Sequence, residues 1–238
     1  MGDQAGTAIT TGDNNVAVGY AALDATTTSA DNTAVGYASL GANITGAANT
    51  AVGSLTLDAN TTGSHNTALG YGAMSATTTG SFSTAVGRDA LGAHTTGADN
   101  TAVGYACMQD ITTGTNNVAM GTTALANLTT TAGNTAIGKS ALTASVTGSY
   151  NTALGYLSLT ACLDGGNNIA VGHNALTANT SGGNNVALGT NALLANTSAT
   201  GNIAVGYNCL DANTTGASNV SVGYYALSAN VTDAHNTA

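Results

Sequence analysis

Histidine, cysteine and aspartate are the side chains of this chain that could bind a metal ion or carry out acid–base chemistry. There are four His, three Cys and eleven acidic residues, all of them Asp. A zinc site needs several ligands that converge to about 2 Å from the metal, and acid–base catalysis needs carboxylates at close range. His65, His94, His173 and His235 are far apart in the sequence, and the aspartates are scattered. We therefore expect no metal or cofactor site and no enzymatic activity.

The three cysteines also fail to form a recognisable redox or disulfide pattern. Cys107 and Cys209 occupy the same position of the repeat described below, but six repeats separate them. At about 4.8 Å per repeat this is roughly 29 Å, whereas a disulfide needs Cα atoms within about 7 Å. Cys162 occupies a different position. We interpret all three as small apolar core residues, although an odd count also permits cross-links between chains.

Tyrosine follows a recurrent glycine at seven positions, and two interpretations of this row remain open. The rings either cover a corner of the fold or a seam between chains, or they form an aromatic row that stacks on sugar rings. The positions are Tyr20, Tyr37, Tyr71, Tyr105, Tyr156, Tyr207 and Tyr224.

Seven Asn-x-Ser/Thr sequons are present, and they are candidate acceptors for N-linked glycans. They begin at Asn43, Asn60, Asn127, Asn179, Asn196, Asn213 and Asn230. All except Asn127 share one position of the repeat, so attached glycans would line one edge of the molecule. The alternative is that Asn and Thr are simply good turn residues.

Composition excludes several classes of partner. The net charge is −9, and only Arg88 and Lys139 are basic, whereas nucleic acids and anionic membranes attract Lys and Arg. No segment reaches the roughly 18 apolar residues of a membrane span. The segment from Met1 to Gln4 lacks the basic and apolar regions of a signal peptide. We expect no nucleic-acid binding, no membrane insertion, and either a lost export signal or export that needs none, such as release with a virion.

A strict 17-residue repeat runs through the chain. Glycine recurs at 2, 19, 36, 53, 70, 87, 104, 121, 138, 155, 172, 189, 206 and 223, without insertion or deletion. We number the positions of the repeat as columns, with Asn15 in column 1. The consensus is then N-T-A-V-G-Y-x-A-L-x-A-N-T-T-G-x-x. Seventeen residues are too few for a pair of helices, which takes about 33 or more.

The repeat predicts an all-β fold, a β-solenoid or β-roll of about 14 coils with two short parallel-stacking strands per coil. Thr33–Gly36 exemplifies one strand and Ala22–Ala25 the other. We expect bulky residues of columns 4 and 9 to form two buried apolar ladders, Asn of column 1 a corner ladder, and Gly of column 5 a bend or close contact. The predicted ladder residues are Asn32, Asn49, Asn100, Val35, Val103, Gly36, Gly104, Leu40 and Leu142. A ligand-binding asparagine row is the alternative for column 1.

The Asn-Thr-Ala-Val-Gly-Tyr unit resembles the head repeats of trimeric autotransporter adhesins. It is more similar still to the repeats of phage and bacterial tail-fibre-like proteins. The resemblance covers residues 1–238 and implies a β-roll, commonly a parallel homotrimer, at a virion or cell surface. Two features depart from the family: the period is 17 rather than about 14, and residues 1–238 contain no segment that resembles a chaperone domain, a coiled-coil stalk or a membrane anchor.

We therefore expect a structural shaft of an extracellular or virion-associated fibre, with surface glycans or receptors as candidate ligands. Residues 1–238 would be one continuous array, either a fragment of a longer fibre or a protomer that stacks head to tail, because 238 is a whole number of periods. The alternatives are a self-assembling, glycan-coated extracellular filament, and an ice-binding solenoid that uses the Thr-rich columns 13 and 14. The ladders also predict that Val103→Asp and Leu142→Asp destabilise far more than changes at Asp24 or Asp58.

Overall fold

The computed structural model of the chain describes residues 2–144 and 147–238. All regular secondary structure among these residues is β-strand, with one three-residue strand in each of thirteen successive repeats. The strands are β1 Val16–Val18, β2 Thr33–Val35, β3 Thr50–Val52, β4 Thr67–Leu69, β5 Thr84–Val86, β6 Thr101–Val103, β7 Val118–Met120, β8 Thr135–Ile137, β9 Thr152–Leu154, β10 Ile169–Val171, β11 Val186–Leu188, β12 Ile203–Val205 and β13 Val220–Val222.

The chain divides into two compact units, Met1–Asn117 and Val118–Ala238. The first contains β1 to β6 and the second β7 to β13, and within each unit every strand pairs in parallel with the strand of the next repeat. The register is a shift of one repeat, as in the pairing of Ala51 with Ala68 and of Ala170 with Ala187. Each unit is therefore a parallel β-solenoid with 17 residues per coil, which confirms the predicted fold class.

The middle residue of each strand is the one that faces the interior. Column 3 is Ala in every strand but β13, and Ala34, Ala102 and Ala153 are completely buried. Successive side chains of a strand point to opposite faces, so columns 2 and 4 on either side of this alanine face outward. The small inward residue keeps the coil thin and brings the opposite wall close.

The predicted second strand is not a strand. Ala22–Ala25 lies in a turn, and Leu23 adopts a left-handed conformation with φ of 52°. Columns 7, 9 and 17 adopt positive φ in nearly every coil, which for a non-glycine residue costs roughly 1–2 kcal/mol. Hydrogen bonds to the next coil continue through this segment, since Leu23 N–H donates to Ser39 O at 3.1 Å. These bonds and the burial of column 9 offset the cost.

Column 9 forms the apolar centre of each unit. Leu40 in the first unit and Leu142 in the second are completely buried, as predicted, and so are the equivalent residues of the neighbouring coils. Full burial of a leucine side chain contributes about 1.5–3 kcal/mol. Column 9 is Leu or Met in every repeat except at Gly6, so it makes a large, repeated contribution to the hydrophobic stabilisation.

The glycine of column 5 is required for two reasons. Gly36 and Gly104 both have φ of 139°, a conformation that L-residues rarely adopt. A Cβ atom at Gly36 would also lie 2.2 Å from the carbonyl oxygen of Gly53 in the next coil. The prediction of a close backbone contact at this column is confirmed.

Candidate functional surfaces

The asparagines of column 1 form a buried corner ladder. Asn49 N–H donates to Asn32 Oδ1 at 3.0 Å, and the Asn49 side-chain amide donates to Gly63 O at 2.8 Å. Where the column has Ser83, its hydroxyl oxygen takes the same acceptor role toward Asn100 N–H. Asn32, Asn49 and Asn100 are completely buried. This is the predicted structural ladder, and a row of buried, hydrogen-bonded amides does not support the alternative of a ligand-binding surface.

The asparagines of column 12 form two further amide ladders, one in each unit, and this corrects the prediction of glycan acceptors. The Asn60 side-chain amide donates to Asn43 Oδ1 at 2.9 Å, and Asn196 donates in the same way to Asn179. The folded coil has no room for a glycan on these buried nitrogens. Sequon residues that are completely buried are Asn43, Asn60, Asn179, Asn196 and Asn213.

The two remaining sequons lie nearer the surface. Asn230 is half-buried, and its amide donates to Asp233 O at 3.0 Å, while Asn127 in column 11 is exposed. The predicted row of glycans along one edge therefore cannot form on the folded coils, because the side chains of that column point into the solenoid.

His94 occupies column 12 and is the histidine buried in the core. Its Nδ1 lies 3.0 Å from Thr77 Oγ1, and its Nε2 lies 3.5 Å from the side-chain nitrogen of Asn100. No charged group neighbours it among these contacts. Burial lowers the pKa of the imidazole from 6.5 to about 4, and a backbone hydrogen bond at Gly97 offsets part of this effect. His94 is therefore neutral at neutral pH and serves as a core residue.

The burial of His94 predicts acid sensitivity. Between pH 6.5 and about 4 the imidazole binds a proton in the unfolded chain but not in the folded one, so protonation favours unfolding. The contribution of His94 to the free energy of unfolding is therefore fully present above pH 6.5 and is lost as the pH falls toward 4. We expect the unfolding free energy of the wild type to fall by about 2–3 kcal/mol more than that of His94→Asn between pH 7 and 4.5. Asparagine is the matched replacement because the same column holds it in other coils.

Guanidinium chloride titrations of both proteins at the two pH values measure this difference. The aspartates contribute equally to both proteins, so the comparison isolates the imidazole. Parallel losses of stability in the wild type and His94→Asn would contradict a neutral, buried His94.

Cysteine and aspartate do not assemble a reactive site in the described part of the chain. Cys107, Cys162 and Cys209 are free and buried, as predicted for core residues. Burial raises the pKa of the Cys107 thiol to about 12 and that of Cys162 to about 11, so neither is a ready nucleophile. Within residues 2–144 and 147–238, no three His, Cys or Asp side chains cluster closely enough to hold a metal ion.

Column 4 places an aliphatic or Met side chain on the outward face of every strand, which corrects the predicted burial of this column. Val35 and Val103 are only half-buried, and Leu69 and Leu154 are 47% and 44% exposed. No charged residue occurs in column 2 or column 4 of any strand. We call the side chains of these two columns the strand face. In β10 to β13 both columns are aliphatic throughout.

The residues of column 6 form an exposed aromatic row next to the strand face. Tyr20 and Tyr37 stack with centroids 5.6 Å apart and planes within 10°, and Tyr207 stacks on Tyr224 in the same way at 5.4 Å. The planes of successive rings are nearly parallel, so the ring faces point from coil to coil. The guanidinium of Arg88 lies 5.7 Å from the Tyr71 ring and 5.8 Å from the Tyr105 ring.

Column 13 is one half of the array considered for ice binding, and its threonines donate their hydroxyl groups to backbone carbonyls of the next coil. Thr61 Oγ1 donates to Thr78 O at 3.0 Å, and Thr180 Oγ1 donates to Thr197 O at 2.9 Å. These donors are therefore not available to order water on a flat surface.

None of the described residues belongs to a helix that is long and apolar enough to cross a lipid bilayer. No family model, curated protein or solved structure matches this chain. The resemblance to adhesin heads and tail-fibre repeats thus rests on the repeat unit itself, and the structure supports it at the level of a parallel β-solenoid with 17 residues per turn.

Proposed function

We propose that this chain is a structural shaft segment of a fibre at a virion or cell surface, and that copies of the chain pack laterally through the strand face. The observation that carries the proposal is an uncharged strand face in which column 4 is an outward-facing Val, Leu, Ile or Met in every described strand. A shaft of this kind needs no catalytic centre, which agrees with the expectation that the chain is not an enzyme.

The composition of the strand face supports association with a second copy. Protein interfaces are depleted of charged residues at their centre and enriched in tyrosine. The strand face has no charged residue, and the tyrosines of column 6 flank it. Because the face carries no charge, it can pack against an identical face without burying an unpaired ion, which would cost several kcal/mol.

The hydrogen bonding between coils supports a mechanical role. Within each unit, neighbouring coils are joined by the strand ladder, by the asparagines of column 1 and by backbone bonds of the turns. Each coil contacts only its neighbours, as in other solenoids. The result is a segment that resists stretching along the stacking direction, which suits a shaft.

Lateral packing and head-to-tail stacking are the two modes of self-association that the repeat permits. The exposed strand face favours lateral packing, as in a homotrimer, because head-to-tail stacking would leave its aliphatic side chains in water. The self-assembling filament is thus the second hypothesis, and the variants below distinguish the two modes.

Two substitutions on the strand face test the proposal. Leu154 and Leu188 are both exposed and lie two coils apart, in β9 and β11. We expect the wild type to form oligomers larger than the 22.9 kDa monomer, and Leu154→Asp/Leu188→Asp to be monomeric with a similar melting temperature. Charges on the face would be buried unpaired in an oligomer but solvated in the monomer. Light scattering coupled to size-exclusion chromatography measures the mass.

The matched control is Ser181→Asp, which adds a carboxylate to the exposed outer turn, where Asp164 already occupies the same column. This variant should associate like the wild type. A monomeric wild type at tens of micromolar would refute the proposal. Oligomers that persist in the double variant would favour head-to-tail stacking instead.

A further inference from the structure

Two positions of the aromatic row have a small hydroxyl residue between two rings. Ser54 lies between Tyr37 and Tyr71 in the first unit. Thr190 lies between His173 and Tyr207 in the second. We call these two gaps the aromatic slots. Ser54 and Thr190 are half-buried, so each slot is open to solvent and has a hydroxyl group at its base.

The walls of both slots are supported from behind. Tyr37 stacks on Tyr20, and the Arg88 guanidinium lies over the far side of Tyr71. In the second unit, His173 stacks on Tyr156 at 5.5 Å with planes within 3°, and Tyr207 stacks on Tyr224. Each wall is thus held with one face against a neighbour and its other face toward the slot, so little ordering of the rings is needed when a ligand enters.

The distances from Arg88 to its two neighbouring rings give the width of such a gap. Arg88 fills the equivalent position between Tyr71 and Tyr105, and its distances of 5.7 and 5.8 Å place the two ring centroids at most about 11.5 Å apart. The two rings are two coils apart, so their centroids are separated by at least about 9.6 Å. Atoms in contact are about 3.5–4.0 Å apart, so a flat group at the centre of the gap touches neither wall closely. A thicker ring with hydrogens on both faces fills it better.

We propose that each aromatic slot binds a pyranose ring, sandwiched between the two aromatic walls. The fitting sugar is gluco-configured and β-linked, because its chair presents axial C–H groups on both faces and equatorial hydroxyls around its edge. The C–H groups meet the electron-rich ring faces, and the hydroxyls face water and the Ser54 or Thr190 hydroxyl. Under this proposal both interpretations of the tyrosine row apply in part, since the stacked rings are structural and the gaps in the row are binding sites.

The affinity of one slot is weak, since only two ring faces and one hydroxyl group contact the sugar. Copies of the chain assembled in a fibre would present many slots to one polysaccharide and gain avidity. The slot itself does not depend on fibre assembly, because each lies within one unit of a single chain.

Saturation-transfer NMR with cellotriose as the probe tests the proposal, and the monomeric Leu154→Asp/Leu188→Asp protein allows the test without assembly. We expect transfer to ring protons on both faces of a glucose unit. Ser54→Arg/Thr190→Arg places a guanidinium in each slot, as Arg88 does in its gap, and should weaken binding at least about tenfold. Arg88→Ser opens the gap between Tyr71 and Tyr105 to a sugar and should increase the saturation transfer to cellotriose.

Ser181→Arg adds the same charge on the exposed outer turn and should bind cellotriose like the unsubstituted protein. Melting temperatures confirm that each variant is folded. Absence of transfer, or transfer unaffected by the slot-filling arginines and by Arg88→Ser, would overturn the proposal. So would a response of the tyrosine resonances to N-acetylarginine amide but not to cellotriose, which would make the slots cation sites.

Discussion

Leu159→Asp is expected to abolish the folded state of its coil, whereas Leu154→Asp is expected to leave the monomer folded. The two leucines are five residues apart in the same coil, but Leu159 is completely buried and Leu154 is 44% exposed. Leu159→Asp removes a core side chain, which costs about 2–5 kcal/mol for truncation alone, and buries an unpaired carboxylate, which costs several kcal/mol more. Leu154→Asp places its carboxylate in water, so we expect a change below about 1 kcal/mol.

Thermal unfolding followed by circular dichroism, on dilute protein to keep it monomeric, measures both effects. Comparing two leucines of one coil removes differences in residue type and in position along the chain. Equal melting temperatures of the two variants would refute the assignment of column 9 to the interior and column 4 to the surface.

The same structure revises the expectation from sequence that Val103→Asp and Leu142→Asp both destabilise far more than changes at Asp24 or Asp58. Leu142 is completely buried and keeps its predicted effect. Val103 is half-buried on the strand face, so its substitution should resemble Leu154→Asp in the monomer and act on association instead.

Gly36→Ala is expected to destabilise the first unit by about 2–6 kcal/mol. The added Cβ would lie 2.2 Å from Gly53 O and 2.5 Å from Gly53 C, both of them backbone atoms of the next coil. Relief requires the two coils to separate and so weakens the ladder, at a cost of about 1–3 kcal/mol. The residue must also hold φ near 139°, which costs an L-residue about 1–3 kcal/mol more.

Gly41→Ala in the same repeat is the control. Gly41 does not have a positive φ, the nearest atom to its added Cβ is Ala38 O at 3.3 Å, and Ala126 occupies the same column in another coil. We expect a change below about 1 kcal/mol. Hydrogen exchange of the β2 and β3 amides in both variants locates the effect. Protection of these amides in Gly36→Ala equal to that in Gly41→Ala would show that the close contact is not required.

The sequence alone determined the architecture because the constraint on a stacked coil is strict. In a parallel stack, residues one period apart lie above one another, so an unbroken 17-residue period predicts a solenoid and its register. The sequence also predicted correctly the roles of residues that few other residue types can replace. Gly36 must allow a close backbone contact, Asn49 must pair with both a backbone N–H and a backbone carbonyl, and Leu40 must fill the interior.

Only the tertiary structure decided which way each column points. The period tells which residues share a column, but the direction of a column is set by backbone dihedral angles that identical spacing does not reveal. Val35 is of a type common in protein cores, yet it faces outward. A three-residue strand has a single inward position, and Ala34 occupies it. Asn43 is of a type common in turns, yet it is completely buried, and its side-chain amide donates to Gly46 O at 2.9 Å.

The aromatic slots were beyond the sequence for the same reason. Tyr37 and Tyr71 flanking Ser54 are visible in the repeat, but whether their rings lie flat on the surface or stand with their faces along the stacking direction depends on side-chain packing. The near-parallel stacking of Tyr20 on Tyr37 settles that orientation. A repeat therefore determines what lies next to what, and the backbone turns and ring orientations of the folded coil determine what faces the solvent.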